Sequence, residues 1–169
     1  INWLSRQEWS TGDVGMFGIS WGGFNSIQMA MRNPPALKAF VSVMATEYLY
    51  QEDVHYMDGI MVAGDSWMMS NDLYNALPGA PEFEMDEDWF TNRFNIEPSV
   101  YTYMRQQRDG EFWDRASARG KYDLIQVPGY HIGGWYDGYR NSLPRMLENV
   151  EAPTKAMIGP WDHDFPHNA

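Results

Sequence analysis

Residues 14–17 (Val-Gly-Met-Phe) form a short apolar run after the turn pair Gly12-Asp13 and predict a buried strand. Phe24, Ile27, Ala30 and Met31 then recur at helical spacing until Pro34 and Pro35 stop the pattern, which predicts a helix over 23–33. Residues 38–44 read as a second strand and 127–132 as a third. A helical repeat of Tyr139, Leu143, Met146, Leu147 and Val150 follows, and then a strand over 154–158. Short apolar strands joined by amphipathic helices predict an α/β fold with a parallel sheet. The pattern changes between 46 and 120, where 60–77, 88–94 and 98–107 look helical, the last opening with Pro98 in its first turn and closing at Asp109-Gly110. We therefore expect a core over 1–45, a mostly helical cap inserted over 46–120 and folded across the ends of the strands, and a return to the core over 121–169.

The first strand and helix are joined by Gly18-Ile19-Ser20-Trp21-Gly22, a G-x-S-x-G pentapeptide in the strand, sharp turn, helix setting of a nucleophile elbow. Glycines beside the turn let strand and helix approach while the Ser20 hydroxyl stays exposed. The Trp21 peptide N–H, at the start of the helix, is placed to donate to an oxyanion. A serine nucleophile also needs a base and a group to orient it. Asp137 lies in the Gly-rich loop after the third strand and His163 in the loop after the last. The interval of 26 residues from Asp137 to His163 holds one helix and one strand with short connections, which puts both groups at one edge of the sheet. Asp in such a loop is also a common turn former. Asp162, His163, Asp164 and His167 together could suggest a metal site, but their spacing matches no recognised ligand pattern.

The segments VGMFGISWGGFNS, GGWYDGY and GPWDH resemble the CocE/NonD hydrolases, esterases related to the Xaa-Pro dipeptidyl-peptidases, in residue type, order and spacing over essentially the whole chain. The resemblance implies an α/β-hydrolase fold with Ser20 as nucleophile, His163 as general base, Asp137 as the group orienting it, and Trp21 as one oxyanion donor. It implies a carboxylic ester or amide as substrate, cleaved through an acyl-enzyme without cofactor or metal. By the same likeness, Trp67 in the cap and Tyr139 line the acyl pocket, with core packing an equal alternative for Trp67. In this fold about eight strands are usual and the nucleophile follows the fifth, so the chain resembles the C-terminal half of the sheet and reads as a segment of a larger enzyme. Gly138, Tyr139 and Arg140 stand where the α-amino-acid ester hydrolases carry carboxylates for the substrate ammonium, which argues against that specificity. An Xaa-Pro peptidase is the alternative enzyme, and a non-catalytic binding module the alternative outside enzymes. A dehalogenase of this fold would have Asp in place of Ser20.

Composition narrows the choice further. There is no cysteine, so thiolate catalysis and disulfides are excluded for these residues. No stretch of eighteen apolar residues occurs, so no helical membrane span is expected in them. The net charge of −11 arises almost wholly between 47 and 90, which hold eleven acidic residues and no Lys or Arg. That sign disfavours nucleic-acid and anionic-membrane partners. The acidic stretch is expected to be a solvated face, with attraction of a cationic substrate as the other reading, and within it Glu52, Asp53, His55 and Asp58 are expected on that solvated face rather than in a metal site.

Overall fold

The computed structural model describes residues 1–53, 55–62 and 64–168, and the side chains of Gly64, Asp65, Ser66 and Trp67 lie outside what is described. A 3₁₀ turn at Leu4–Arg6 precedes strand β1, Val14–Ile19. Helix α1, Trp21–Arg32, follows and ends on Asn33 in the left-handed conformation, immediately before the two prolines that cannot extend it. Strand β2 spans Leu37–Val43. Strands β3, Tyr56–Met57, and β4, Ile60–Met61, form a hairpin; then come α2, Gly64–Asn75, α3, Glu87–Trp89, which continues through a π turn at Phe90–Phe94, α4, Ser99–Arg105, and α5, Glu111–Asp114. The chain returns through a 3₁₀ turn at Tyr122–Leu124 to β5, Gly129–Gly134, α6, Ser142–Asn149, and β6, Thr154–Gly159.

All four long strands are parallel, in the order β1-β2-β5-β6. Their C-terminal ends therefore share one edge, which carries Ser20 directly after β1 and the loops after β5 and β6. Helix α1 packs on β1 and β2, and α6 on β5 and β6. Phe24, Ile27 and Ala30 of α1 meet Leu37 and Phe40 of β2 and Met146 of α6 in one cluster. Leu49, Tyr56, Trp113 and Ala118 belong to the same cluster, so the segment between β2 and β5 shares the core of the sheet.

Two expectations are corrected. Residues 60–61 are not helical, because Asp58 and Gly59 adopt φ of 50° and 76° and close the β3–β4 hairpin, as an Asp-Gly pair does in a type I′ turn. Of the four residues expected on a solvated face only Asp58 is exposed; Glu52 is 3%, Asp53 1% and His55 0% exposed. For Glu52 the reason is long-range: Arg145 of α6 donates to both Glu52 and Glu47, so these carboxylates, without a cation nearby in sequence, are paired in space.

The elbow glycines differ in what they require. A Cβ on Gly18 would lie 2.4 Å from the Gly22 carbonyl carbon, and one on Gly23 would lie 2.6 Å from Ala45 Cβ and 2.9 Å from Val43 O, whereas one on Gly22 meets nothing within 4 Å. Gly23→Ala should therefore cost about 1–3 kcal/mol of stability, as overpacking of a filled site does, and Gly22→Ala should stay within about 0.5 kcal/mol. Urea denaturation of the intact protein with each substitution checks the contrast.

Candidate active site

Ser20 occupies a conformation that L-residues rarely adopt, φ 55° and ψ −121°, between the last residue of β1 and the first of α1. Strain of this kind, of order 1–3 kcal/mol, persists only where the surroundings over-determine it. Here the Ser20 N–H donates to Val43 O of β2 at 2.9 Å, and Ser20 O accepts from the Phe24 N–H of α1 at 2.9 Å. Both sides of the turn are thus fixed and the side chain is presented at the strand edge. Trp21 N lies at the first position of α1, where no intrahelical acceptor exists and the helix dipole is positive.

Asp137 lies three residues beyond β5 and His163 four beyond β6. The His163 Nδ1–H donates to Asp137 Oδ1 at 2.8 Å. Asp137 is buried, its Oδ2 accepts from the Tyr139 N–H at 3.3 Å, and its carbonyl accepts from Arg140 Nη1 at 3.3 Å. The hydrogen bond to Asp137 holds the His163 imidazole above its ordinary pKa; burial opposes this, and the charges of Asp137, Asp162 and Asp164 add to it. Asp164 is engaged locally, its Oδ1 accepting from the Phe165 N–H and Asn168 Nδ2, while the His167 ring stacks on Phe165.

The loop bearing His163 is tied back to the elbow by aromatic contacts. Phe165 stacks on Phe17 of β1 at 5.5 Å, and the Tyr139 ring packs edge-on against both His163, at 5.5 Å, and Phe24 of α1, at 5.2 Å. Tyr139 thereby joins the helix behind the serine to the histidine. Among the described residues Ser20 Oγ makes no hydrogen bond to the ring; Asp137 and His163 are joined, and Ser20 stands at the end of the strand to which their loop is anchored. The ring of Trp21 meets Phe24 at 5.1 Å and His55 at 5.9 Å, so the segment between β2 and β5 reaches the elbow. The Trp67 side chain, the other expected pocket residue, lies outside the described residues.

Sequence reasoning missed a buried polar cluster beside this site. Glu47, 1% exposed and four residues beyond β2, accepts from Ser142 Oγ, Arg145 Nε and Tyr122 OH, and Arg145 also reaches Glu52. Desolvation raises the Glu52 pKa despite that guanidinium. His131, in mid-strand β5, bonds Ser42 through Nδ1 at 2.6 Å, and burial pushes its pKa down to about 4, so it stays neutral and takes no part at the strand edge.

A family model described as X-Pro dipeptidyl-peptidase (S15 family) matches residues 1–164. A cocaine esterase from Rhodococcus sp. (strain MB1 Bresler) is 25% identical over 190 residues, covering 96% of this chain and 33% of that protein. The crystal structure of a CocE/NonD family hydrolase from Staphylococcus aureus superposes with a TM-score of 0.70 at 19% identity, covering 93% of this chain and 26% of that one. An aminopeptidase from a marine-sediment Thaumarchaeota archaeon gives 0.64 at 18% identity, covering 96% and 31%. The chain thus spans a third of the length of the curated relative it matches.

An imidazole held by a carboxylate should titrate above the ordinary histidine value of 6.5. A proton-binding curve for His163 by NMR should show this, and Asp137→Asn should lower it, because the imidazolium loses its anionic partner. An unchanged midpoint in the variant would mean that the pair is not formed in solution.

Proposed function

Because the chain belongs to the X-Pro dipeptidyl-peptidase (S15) family, we propose that it carries the catalytic centre of a serine hydrolase that cleaves carboxylic esters or amides through an acyl-enzyme. The observation that supports this most is the hydrogen-bonded His163–Asp137 pair on a loop whose Phe165 is stacked on the strand leading into Ser20. With Nδ1–H committed to Asp137, Nε2 of the neutral ring is the free base. Catalytic hydrogen bonds often tighten only when substrate is bound, so the bond from Ser20 Oγ to Nε2 is expected in the substrate complex.

His163 then takes the Ser20 proton as the hydroxyl attacks the acyl carbon, and returns it to the leaving oxygen or nitrogen. Asp137 keeps the tautomer and stabilises the imidazolium. The Trp21 N–H donates to the oxyanion, whose negative charge faces the positive end of α1. Water repeats the cycle on the acyl-enzyme. We assign residues 1–45 and 121–169 to the hydrolase core and 46–120 to a cap; the contact of His55 with Trp21 supports placing the cap beside the nucleophile. Tyr139, edge-on to the His163 ring, is the residue we place at the inner wall of the acyl pocket.

A second reading is favoured by the matched family itself: cleavage after Xaa-Pro, with the same three residues acting on an amide. Rates of the intact protein on p-nitrophenyl esters and on Xaa-Pro-nitroanilides separate the two. A fluorophosphonate probe should label Ser20, and a folded protein left unlabelled would instead be a binding module. Ser20→Ala and His163→Ala should each abolish turnover, and Asp137→Asn should lower it by about 10⁴-fold. Retained ester and amide cleavage in any of the three would remove that residue from the mechanism.

A further inference from the structure

Glu47 sits where three parts of the chain meet. It follows β2 by four residues; its carbonyl accepts from the Ala118 N–H at 2.7 Å and its carboxylate from Tyr122 OH at 3.1 Å, both on the segment returning to β5. The same carboxylate accepts from Ser142 Oγ, in the first turn of α6, and from Arg145 Nε and Nη2. A carboxylate buried to this degree is tolerated only because every lone pair is used. Three of the four donors belong to α6, so directional charged hydrogen bonds tie the helix to the carboxylate that follows β2.

Helix α6 begins five residues after Asp137. Back from Ser142, its N–H donates to Tyr139 O at 3.1 Å, the Tyr139 N–H donates to Asp137 Oδ2 at 3.3 Å, and Asp137 Oδ1 accepts from His163 at 2.8 Å. From Glu47 to the imidazole each step is therefore a hydrogen bond or a short piece of backbone.

We propose that Glu47 is a positioning residue for the hydrolase centre: by gripping Ser142 and Arg145 it sets the start of α6, and with it the place from which Asp137 reaches His163. This rests on the reading of Ser20, His163 and Asp137 as a triad. Only a carboxylate serves, because the amide nitrogen of Gln would face the Arg145 and Ser142 donors. Loosening the grip turns Asp137 away without unfolding the sheet. The charged groups facing His163 are then Asp162 and Asp164 on its own loop, with Asp137 weakened.

The test is the pH dependence of kcat and KM for a p-nitrophenyl ester in the intact protein, with folded sites counted by fluorophosphonate titration and Tm measured alongside. Glu47→Gln should lower kcat about tenfold with KM little changed, as displacement of catalytic groups does. It should also move the acidic limb to lower pH, because the bond that raises His163 is loosened. Ser142→Ala should do the same to a smaller extent while removing only one hydrogen bond. Should Glu47→Gln fold poorly, Ser142→Ala, which leaves the ion pairs of Arg145 with Glu47 and Glu52 intact, provides the folded comparison and should still show the limb shift. An acidic limb that stays in place in these variants, with kcat unchanged or lowered only as folded sites are lost, overturns the proposal and leaves the triad reading standing. A wild-type protein that is neither labelled nor active overturns both.

Discussion

The contact between the backbones of Gly18 and Gly22 is the constraint on which the site depends. With no room for a side chain on Gly18, strand β1 and helix α1 come close enough that the residue between them must take φ 55°. The strain at Ser20, of order 1–3 kcal/mol, is offset nearby. Phe24 and Ile27 are buried on the sheet at about 1.5–3 kcal/mol each, and the Ser20 N–H bond to Val43 ties the turn to the neighbouring strand. Packing exceeds strain, so the serine is held half-buried at the strand edge by the same helix face that closes the core.

Sheet geometry alone does not complete the centre. Three strand spacings separate β1 from β6, about 14 Å, wider than an imidazole can span. Aromatic side chains on the loops beyond β5 and β6 close the gap. Phe165 crosses to stack on Phe17, and Tyr139 fills the space between Phe24 and His163. Close approach also matters at β5 and β6, where a Cβ on Gly134 would collide with the Trp161 carbonyl. The two loops therefore leave the edge in contact, and the His163–Asp137 bond forms within a packed unit.

The features legible in the sequence were local. β1, α1 and the prolines ending it, β2, β5, α6 and β6 each announce themselves by periodicity and punctuation within a dozen residues, and the order of Ser20, Asp137 and His163 follows from that alternation. The Asp58-Gly59 turn was also legible in principle, but the apolar residues after it, Ile60 and Met61, suited a helix equally well. The acidic segment was misread for a different reason. Glu47 and its guanidinium partner lie 98 residues apart, and no windowed pattern pairs them. Excess acidic charge in a stretch of chain signals a solvated face only if the countercharge is not supplied by another element.

That pairing bears on why the cluster exists. Replacing a buried ion pair by well-packed apolar residues is often neutral or stabilising, because desolvation consumes most of the Coulombic gain. Stability is thus a weak reason for burying two carboxylates against the half-exposed guanidinium of α6, and the raised pKa of Glu52 reflects desolvation that the guanidinium opposes but does not overcome. Charged hydrogen bonds supply direction, which apolar contacts do not. A helix resting on aliphatic side chains can slide by a fraction of an ångström at little cost, but one whose first turn is bonded through Ser142 and Arg145 to a fixed carboxylate cannot. Since Asp137 is five residues from that turn, the direction is spent where the proposed chemistry is least tolerant of displacement.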